Sequence, residues 1–132
     1  MLTAVDALKE FDRARYVSLT TFRKDGRGVA TPVWLAVDGA EIFIVSDLDT
    51  GKVKRLLRDG HVTLAVCDFR GGIAPNALHA TGTARVLDEA QTQRARALIA
   101  RKYFTSRLGN WLVRIFHLPK RPVIGIVVTL DQ

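Results

Sequence analysis

Apolar and polar residues alternate along much of the chain, and this period of two predicts β-strands that each bury one face. The stretch from Val29 to Val37 shows the pattern most clearly, since every second residue is Val, Leu or Thr. Strands are predicted over residues 16–22, 29–37, 41–46, 61–68, 78–87 and 123–130. The turn sequences Lys24-Asp25-Gly26-Arg27-Gly28 and Asp38-Gly39 are predicted to join the first three strands into an antiparallel meander.

Helical periodicity separates some of these strands. Thr3 is a candidate N-cap for a short first helix that presents Val5, Leu8 and Phe11 on one face. Further helices are predicted over residues 52–59 with Val53, Leu56 and Leu57 facing inward, over 88–104 with Ala95, Leu98 and Ile99 as the apolar stripe, and over 111–118.

The order of these elements predicts a mainly β fold with flanking α-helices, as one domain over residues 1–132. Six antiparallel strands would form a small closed barrel, because closure leaves no strand edge exposed. Gly82, inside the fifth strand, indicates either a bulge or a close approach of another backbone. The nearly continuous apolar run of residues 123–130 belongs at the centre of the sheet. Part of the apolar strand surface is expected to be buried against a second copy of the chain.

The composition is that of an ordinary globular protein, with 48% hydrophobic and 25% charged residues. It excludes a wholly disordered chain, a collagen-like repeat and a long coiled coil. No window approaches about 18 consecutive apolar residues, and residues 1–6 lack the start of a secretory signal, so we expect neither a membrane span nor secretion. The single cysteine, Cys67, forms no internal disulfide, which fits a cytoplasmic protein.

The net charge of +7 lies entirely in the last third of the chain. Residues 1–89 hold 12 basic and 12 acidic residues, whereas residues 90–132 hold eight basic residues and one acid, Asp131. Such a local excess attracts anions, and nucleic acid, an anionic membrane surface or a polyanionic small molecule would each fit. A solvated basic helix face is the simpler alternative.

The usual catalytic motifs are missing. The sequence contains no GxSxG, HExxH, CxxC, GxGxxG or P-loop pattern, and His61, His79 and His117 are widely separated. We therefore assign no catalytic residue and no metal ligand. If the protein is an enzyme, we expect a cofactor to carry the chemistry and the protein to bind and orient it.

One segment has the composition of an anion site. Between Ser46 and Arg55 a hydroxyl, Gly51, the N–H groups of a helix start and Lys52 come together, and such groups hold a phosphate without a P-loop. The simpler interpretation makes Thr50 a helix cap and leaves the basic side chains in solvent. Two acids, Asp47 and Asp49, weaken the local positive potential.

A second candidate is the stretch Thr31-Pro32-Val33-Trp34 within the predicted second strand. A proline in a strand removes one ladder donor, so it belongs at an edge or a bulge. A bulge would aim backbone groups and Trp34 at a ligand. The alternative is that Trp34 only fills the core or a dimer interface.

These stretches stand in an order that we identify with a known group of proteins. They are Tyr16-Val17-Ser18-Leu19-Thr20-Thr21, Ala30-Thr31-Pro32-Val33-Trp34, residues 46–57 with Gly51-Lys52, Val62-Thr63-Leu64-Ala65-Val66-Cys67-Asp68 followed by Arg70-Gly71, and Ala80-Thr81-Gly82-Thr83-Ala84-Arg85-Val86. The set resembles the split β-barrel flavin and deazaflavin oxidoreductases, the superfamily of pyridoxamine 5′-phosphate oxidase. Within it the likeness is to the small F420-dependent branch.

The resemblance implies an FMN-binding-like split barrel that forms a homodimer, with cofactor sites in clefts between subunits. It implies a flavin-like ring near Thr31, Pro32, Val33 and Trp34. It also implies that the strand-to-helix segment binds the cofactor phosphate, through the residues Ser46, Gly51, Lys52 and Arg55. Some relatives follow the lysine with Arg-Asn-Leu where this chain has Lys54-Arg55-Leu56, which leaves the role of Arg55 open.

The cofactor that the resemblance implies is coenzyme F420, with FMN as the alternative. F420 carries a phosphodiester, a lactyl carboxylate and a glutamate tail, which suits a basic chain better than the single phosphate of FMN. Candidate tail contacts are the basic residues Arg94, Arg96, Arg101, Lys102, Arg107 and Arg114. The implied reaction is hydride transfer from reduced F420 to a small organic acceptor, in a pocket walled by Trp34 and by the apolar residues Trp111, Leu112, Ile115 and Phe116.

Two functions of other classes remain open. The missing acid and base residues would also fit a protein that carries a deazaflavin or flavin without turnover. The charge of residues 90–122 would fit a binder of nucleic acid or of a membrane surface, but there are few interleaved aromatic residues and no nucleic-acid motif, so we expect neither partner.

Overall fold

The computed structural model describes residues 3–47, 51–104 and 123–131. Three helices and seven strands follow each other in these ranges. They are α1 (Ala4–Arg13), β1 (Tyr16–Phe22), β2 (Gly28–Val33), β3 (Leu35–Asp38), β4 (Glu41–Asp47), α2 (Gly51–Arg58), β5 (His61–Cys67), β6 (His79–Val86), α3 (Glu89–Phe104) and β7 (Val123–Leu130). The helix predicted over residues 111–118 and the Thr50 cap lie outside the described residues.

All seven strands form one antiparallel sheet in the order β2-β1-β5-β6-β7-β4-β3. The predicted second strand breaks at Trp34 into β2, which pairs with β1, and β3, which pairs with β4. The count of six strands and the three-stranded meander were therefore wrong. The two edge strands are joined through the single residue Trp34, so the sheet curves back on itself. Among the described strands no hydrogen-bonded ladder joins β2 to β4, so the sheet is not a closed barrel.

The alternating residues of the strands form the main core on the inner face of this curved sheet. Leu19, Leu35, Ile44, Leu64 and Ile126 are fully buried there, as is Phe11 of α1, and Leu56 of α2 packs in the same core. The helix α3 covers the outer face of β3, β4 and β7 with the predicted stripe of Ala95, Leu98 and Ile99. As predicted, β7 lies inside the sheet, between β6 and β4.

The helix α1 begins with the predicted cap. The Thr3 hydroxyl accepts a hydrogen bond from the Asp6 N–H, and the Asp6 carboxylate accepts one from the Thr3 N–H, which makes a capping box. The predicted inward face was wrong at one position, because Val5 is 60% exposed. The face that packs on the sheet is centred on Ala7 and Phe11, and Val5 lies about 140° away from it around the helix axis.

The helix α2 closes one end of the inner core. Val53 and Leu56 are buried as predicted, but Leu57 is 71% exposed. The inward face of this eight-residue helix continues through Lys52 and Arg55, which are half-buried, rather than through Leu57. Because Lys52 and Arg55 lie on the side of α2 that packs on the sheet, the helix is a candidate binding element. None of the helices within the described residues combines the length and hydropathy needed to cross a membrane.

Candidate functional site

The end of β4 and the first turn of α2 bring two of the predicted site residues together. Ser46 is buried on the inner face of β4, and the Lys52 ammonium donates a hydrogen bond to its hydroxyl at 3.3 Å. Burial lowers the pKa of Lys52, Asp47 raises it, and Arg55 lowers it further. A half-buried ammonium whose partner is a neutral hydroxyl keeps its charge available for an anion.

Arg55 belongs to the same site, and a residue of β1 holds its side chain in position. Its Nε donates a hydrogen bond of 2.6 Å to the hydroxyl of Thr21, a fully buried residue on the inner face of β1. Gly51 makes room for this guanidinium, because a Cβ on Gly51 would stand 2.6 Å from Arg55 Nη1. The structure therefore brings Ser46, Gly51, Lys52 and Arg55 into one cluster, as the sequence predicts.

The cations of the cluster lack a directly bound carboxylate within the part of the chain that the structure describes, although the charge of Asp47 acts on Lys52. Among the residues that the structure describes, neither Lys52 nor Arg55 forms an ion pair with a carboxylate. Partial burial lowers the pKa of Arg55, and the neighbouring Arg23 and Arg58 lower it further. These cations repel each other, and hydroxyl groups hold Lys52 and Arg55 in place. Such an arrangement favours the binding of an anion such as a phosphate.

The second predicted segment, Thr31-Pro32-Val33-Trp34, lies in the edge strand β2 and in the bend that follows it. Thr31 and Val33 face inward on β2, whereas Pro32 is exposed, as expected for a proline in an edge strand. The Thr31 hydroxyl oxygen is buried and has no hydrogen-bond partner among the described residues. A Cβ on Gly71 would lie 3.6 Å from Pro32 Cδ, so the loop after β5 passes beside this segment.

The buried Thr31 hydroxyl is an observation that fits a bound cofactor. A buried hydroxyl without a partner costs free energy, and a ligand group that donates or accepts a hydrogen bond removes that cost. Of the neighbouring apolar residues, Val33 is buried in the main core and Trp34 is half-buried. The Lys52 and Arg55 cations therefore fit an anionic group, and the Thr31 hydroxyl fits a ligand group that forms hydrogen bonds.

Trp34 forms the bend between β2 and β3 and packs on α3. Its ring lies 5.8 Å from the ring of Tyr103, at an interplanar angle of 42°. The Tyr103 hydroxyl accepts a hydrogen bond from the Leu35 N–H at 3.2 Å and donates one of 2.5 Å to the Arg15 carbonyl. Burial raises the pKa of Tyr103 to about 12. The tyrosine thus ties the bend to α3 and to the connection between α1 and β1.

Replacing Tyr103 with Phe is expected to lower the free energy of unfolding by about 1–3 kcal/mol, because it leaves the buried Leu35 N–H without this acceptor. Urea denaturation measures the change. Tyr16→Phe is the matched control, since the Tyr16 hydroxyl forms no hydrogen bond with the described residues. Equal losses in the two variants would show that the hydroxyl does not hold the bend.

Two of the predicted tail contacts in the basic C-terminal third, Arg94 and Lys102, bind other groups of the protein. Arg94 forms an ion pair with Asp38, and Lys102 donates a hydrogen bond of 2.8 Å to the Ala14 carbonyl. Arg107 and Arg114 lie outside the described residues, as do the predicted wall residues Trp111, Leu112, Ile115 and Phe116. Contact of this segment with a cofactor tail stays a prediction.

One cavity lined by described residues lies away from the predicted site. It has a volume of about 670 Å³ and lies between α1 and the loop after β5. Two of its lining residues, Glu10 and Asp68, are acidic, which does not suit an anionic cofactor. Burial raises the pKa of the Cys67 thiol at its edge. No group of His, Cys, Asp and Glu suited to a metal ion occurs within the described ranges, where His61 and His79 are exposed, and His117 lies outside them.

Sequence reasoning missed the contributions of Thr21 and Tyr103 to the site. The alternation in β1 places Val17, Leu19 and Thr21 on the inner face, so a threonine at a core position was the available signal for the first. The hydroxyl of Tyr103 reaches over 68 residues of sequence to Leu35, and no local pattern marks such a contact.

The comparison with known protein families decides the classification. The family model described as pyridoxamine 5′-phosphate oxidase matches residues 4–129. The chain belongs to the pyridoxamine 5′-phosphate oxidase family. This confirms the resemblance drawn from the ordered stretches of sequence. No curated protein matches the chain.

Solved structures with the same fold include proteins of different described functions. The conserved hypothetical protein Rv2991 from Mycobacterium tuberculosis is 17% identical with a TM-score of 0.72, over 100% of this chain and 82% of that one. A protein described as F420 reductase is 19% identical with a TM-score of 0.63, over 92% and 90%. A FAD-binding protein from Mesorhizobium loti is 16% identical with a TM-score of 0.68, over 99% and 91%. At these identities the likeness shows the fold of the family.

Proposed function

We propose that this protein is an oxidoreductase that binds coenzyme F420 and transfers a hydride between the reduced cofactor and a small organic acceptor. FMN is the alternative cofactor on the same fold. The observation that carries the proposal is the pair Lys52 and Arg55, two partly buried cations that hydroxyl groups hold in place and that form no ion pair with a described carboxylate.

In this proposal each predicted site residue has a separate task. Lys52 and Arg55 bind the phosphate, with the Ser46 hydroxyl and the backbone at Gly51 beside them. Thr31, Pro32, Val33 and Trp34 hold the ring along β2 and its bend, where the Thr31 hydroxyl gains the partner that it lacks. These groups orient the ring and exclude water from one of its faces.

When bound, reduced F420 supplies the hydride from its C5. The ionisable groups among the described residues of the cluster are Lys52 and Arg55, both assigned to the phosphate, so the protein's part is to bind, position and shield. Two facts support F420 over FMN: the net charge of +7, and a structural neighbour described as F420 reductase. The neighbour described as FAD-binding supports the flavin alternative.

We further propose that the chain is a single cytoplasmic split-barrel domain that acts as a homodimer, with the cofactor between subunits. The match of the family model to residues 4–129 supports the single domain. Native mass spectrometry tests the dimer: we expect a mass of two chains together with two cofactors. One chain with one bound cofactor would contradict the placement between subunits.

Fluorescence titration of the purified protein with F420 and with FMN tests the cofactor. We expect saturable binding of F420 that is tighter than that of FMN. If neither ligand binds at roughly tens of micromolar, a weak affinity by the usual scale, the proposal is wrong. If FMN binds more tightly, the flavin alternative replaces F420.

The assignment of both ionisable groups of the described cluster to the phosphate also favours a second candidate, a protein that carries the cofactor without turnover. Stopped-flow oxidation of the bound, reduced cofactor by quinones, enones and tetrapyrroles distinguishes the two. We expect one class of acceptor to react faster with the bound cofactor than with the free one. If every class reacts more slowly with the bound form, the carrier function is correct.

A further inference from the structure

The cavity beside α1 differs in charge from the chain as a whole. It lies between α1 and the loop that joins β5 to β6, and its volume is about 670 Å³. Small-molecule sites have volumes of roughly 300–1,000 Å³, so the cavity is large enough for a ligand. The protein has a net charge of +7, but the charged residues among the described lining of this cavity are the two acids Glu10 and Asp68.

The floor of the cavity is apolar. Val66 and Leu78 are half-buried and pack against the main core, and Ile73, which is 41% exposed, adds a third aliphatic side chain from the loop. The Cys67 thiol adds uncharged surface, because burial and the charge of Asp68 raise its pKa. An apolar floor beside carboxylates fits a ligand that combines an apolar body with a positive end.

The carboxylate of Asp68 has one oxygen bound by the loop and one oxygen open. Its Oδ1 accepts hydrogen bonds from the N–H groups of Arg70, at 2.9 Å, and of Gly72, at 2.8 Å. Its Oδ2 accepts no hydrogen bond from the described residues, and neither Asp68 nor Glu10 forms an ion pair with them. The loop therefore orients the carboxylate through Oδ1 and leaves Oδ2 for a donor from outside the chain.

Gly72 keeps this second oxygen accessible from the cavity. A Cβ on residue 72 would stand 2.8 Å from Asp68 Oδ2, so even an alanine would crowd the carboxylate. The backbone does not demand glycine here: the preceding Gly71 has a φ of +86°, whereas Gly72 is not among the described glycines with positive φ. The property that glycine supplies at position 72 is the open space beside Oδ2.

We propose that this cavity binds a small organic cation, a primary amine with an apolar body, whose ammonium group donates to Asp68 Oδ2. The apolar body lies on Val66, Ile73 and Leu78, and the Glu10 carboxylate adds a second negative charge at the rim. This site is separate from the proposed cofactor site, because no residue of the cluster on β4 and α2 lines the cavity. Its test therefore does not depend on which cofactor the protein binds.

Titrations followed by amide NMR test the site with two probes of the same shape. They are 2-phenylethylamine, which is a cation at neutral pH, and 2-phenylethanol, which is neutral. We expect saturable shifts at the amides of the lining residues and an affinity for the amine about three- to fivefold higher than for the alcohol, the contribution of an exposed ion pair. Equal affinities, or shifts confined to other parts of the protein, would overturn the proposal.

Three variants locate the charge that the amine contacts. Asp68→Asn keeps an oxygen for the loop N–H groups but removes the charge, so the amine should bind about three- to fivefold more weakly and the alcohol as before. Gly72→Ala keeps the charge but crowds Oδ2, so it should remove the preference for the amine. Glu89→Gln removes an exposed acid on α3 and should bind both probes like the wild type.

Two results with these variants would contradict the site. If Gly72→Ala keeps the full preference for the amine, the ammonium group is not on Asp68 Oδ2. If Glu89→Gln weakens amine binding as much as Asp68→Asn does, the effect is one of net charge. Glu10→Gln leaves the loop untouched, so it tests the same charge recognition even if Asp68→Asn does not fold, and an unchanged preference for the amine in both Glu10→Gln and Gly72→Ala would refute the proposal.

Discussion

Lys52→Ala is expected to weaken F420 binding by about 10- to 100-fold, the loss typical of a charge-assisted hydrogen bond to a partly buried anion. The same change should leave the free energy of unfolding nearly unchanged. The reason is that Lys52 is half-buried, forms no ion pair with a described carboxylate, and has its pKa lowered mainly by burial. A cation that the folded protein desolvates without forming an ion pair contributes little to stability and much to the binding of an anion.

Fluorescence titration and urea denaturation on the same preparation measure both quantities. Lys54→Ala is the control, since Lys54 lies on the same helix, about 160° around its axis from Lys52, and is exposed. It removes the same charge and should change the affinity by less than about twofold, as exposed charges do. If both variants lose affinity equally, the effect is one of net charge, and Lys52 is not a phosphate ligand. If Lys52→Ala instead unfolds the protein, the lysine is structural.

The strands and helices could be predicted from the sequence because their signals are local. The predicted bounds of β1 and of β7 agree with the structure, and those of the other matched elements differ by one or two residues. The turn at Asp38-Gly39 and the Thr3 cap each depend on residues within one turn of chain, and Gly39 has a φ of +61° that suits glycine. Local chemistry therefore gave the elements and their order.

The pairing of the strands could not be predicted in the same way. The alternation of residues 29–37 is continuous, so it indicates one strand and contains no sign of a break. The break at Trp34 arises because the ring packs on Tyr103, 69 residues later, and because the flanking halves pair with β1 and β4 at opposite edges of the sheet. Which strand pairs with which is decided by these distant contacts.

The candidate site also has one part that local sequence predicts and another that depends on a distant contact. The segment from Ser46 to Arg55 could be predicted because the strand end, the glycine and the helix start are adjacent in sequence. The contribution of Thr21 could not, since Arg55 reaches it across 34 residues. Arg55, whose role the resemblance leaves open, donates a hydrogen bond to the Thr21 hydroxyl on β1.

Gly82→Ala is expected to lower the free energy of unfolding by about 3 kcal/mol, the upper range for overpacking a core. A Cβ at this position would stand 2.6 Å from the Thr129 carbonyl oxygen and 3.2 Å from Leu130 Cα. Both are backbone atoms of β7, which is itself paired on two sides, so neither moves without breaking a ladder. The register of β6 runs through Gly82 without interruption, so the structure shows a close approach of backbones and no bulge.

Gly28→Ala provides the comparison for this change, since Gly28 lies at the start of an edge strand and the nearest atoms to its Cβ would be side-chain atoms, the Thr20 methyl group at 2.8 Å and the Phe22 ring at 3.5 Å. A methyl group on a side chain rotates away, so the loss should stay below about 1 kcal/mol. Guanidinium denaturation of the two variants and the wild type gives the difference. Equal stabilities of Gly82→Ala and wild type would mean that β6 shifts into a bulge at this point. In that case the pairing of Thr81 and Ala80 with β5 would move by one residue, which amide hydrogen exchange would detect.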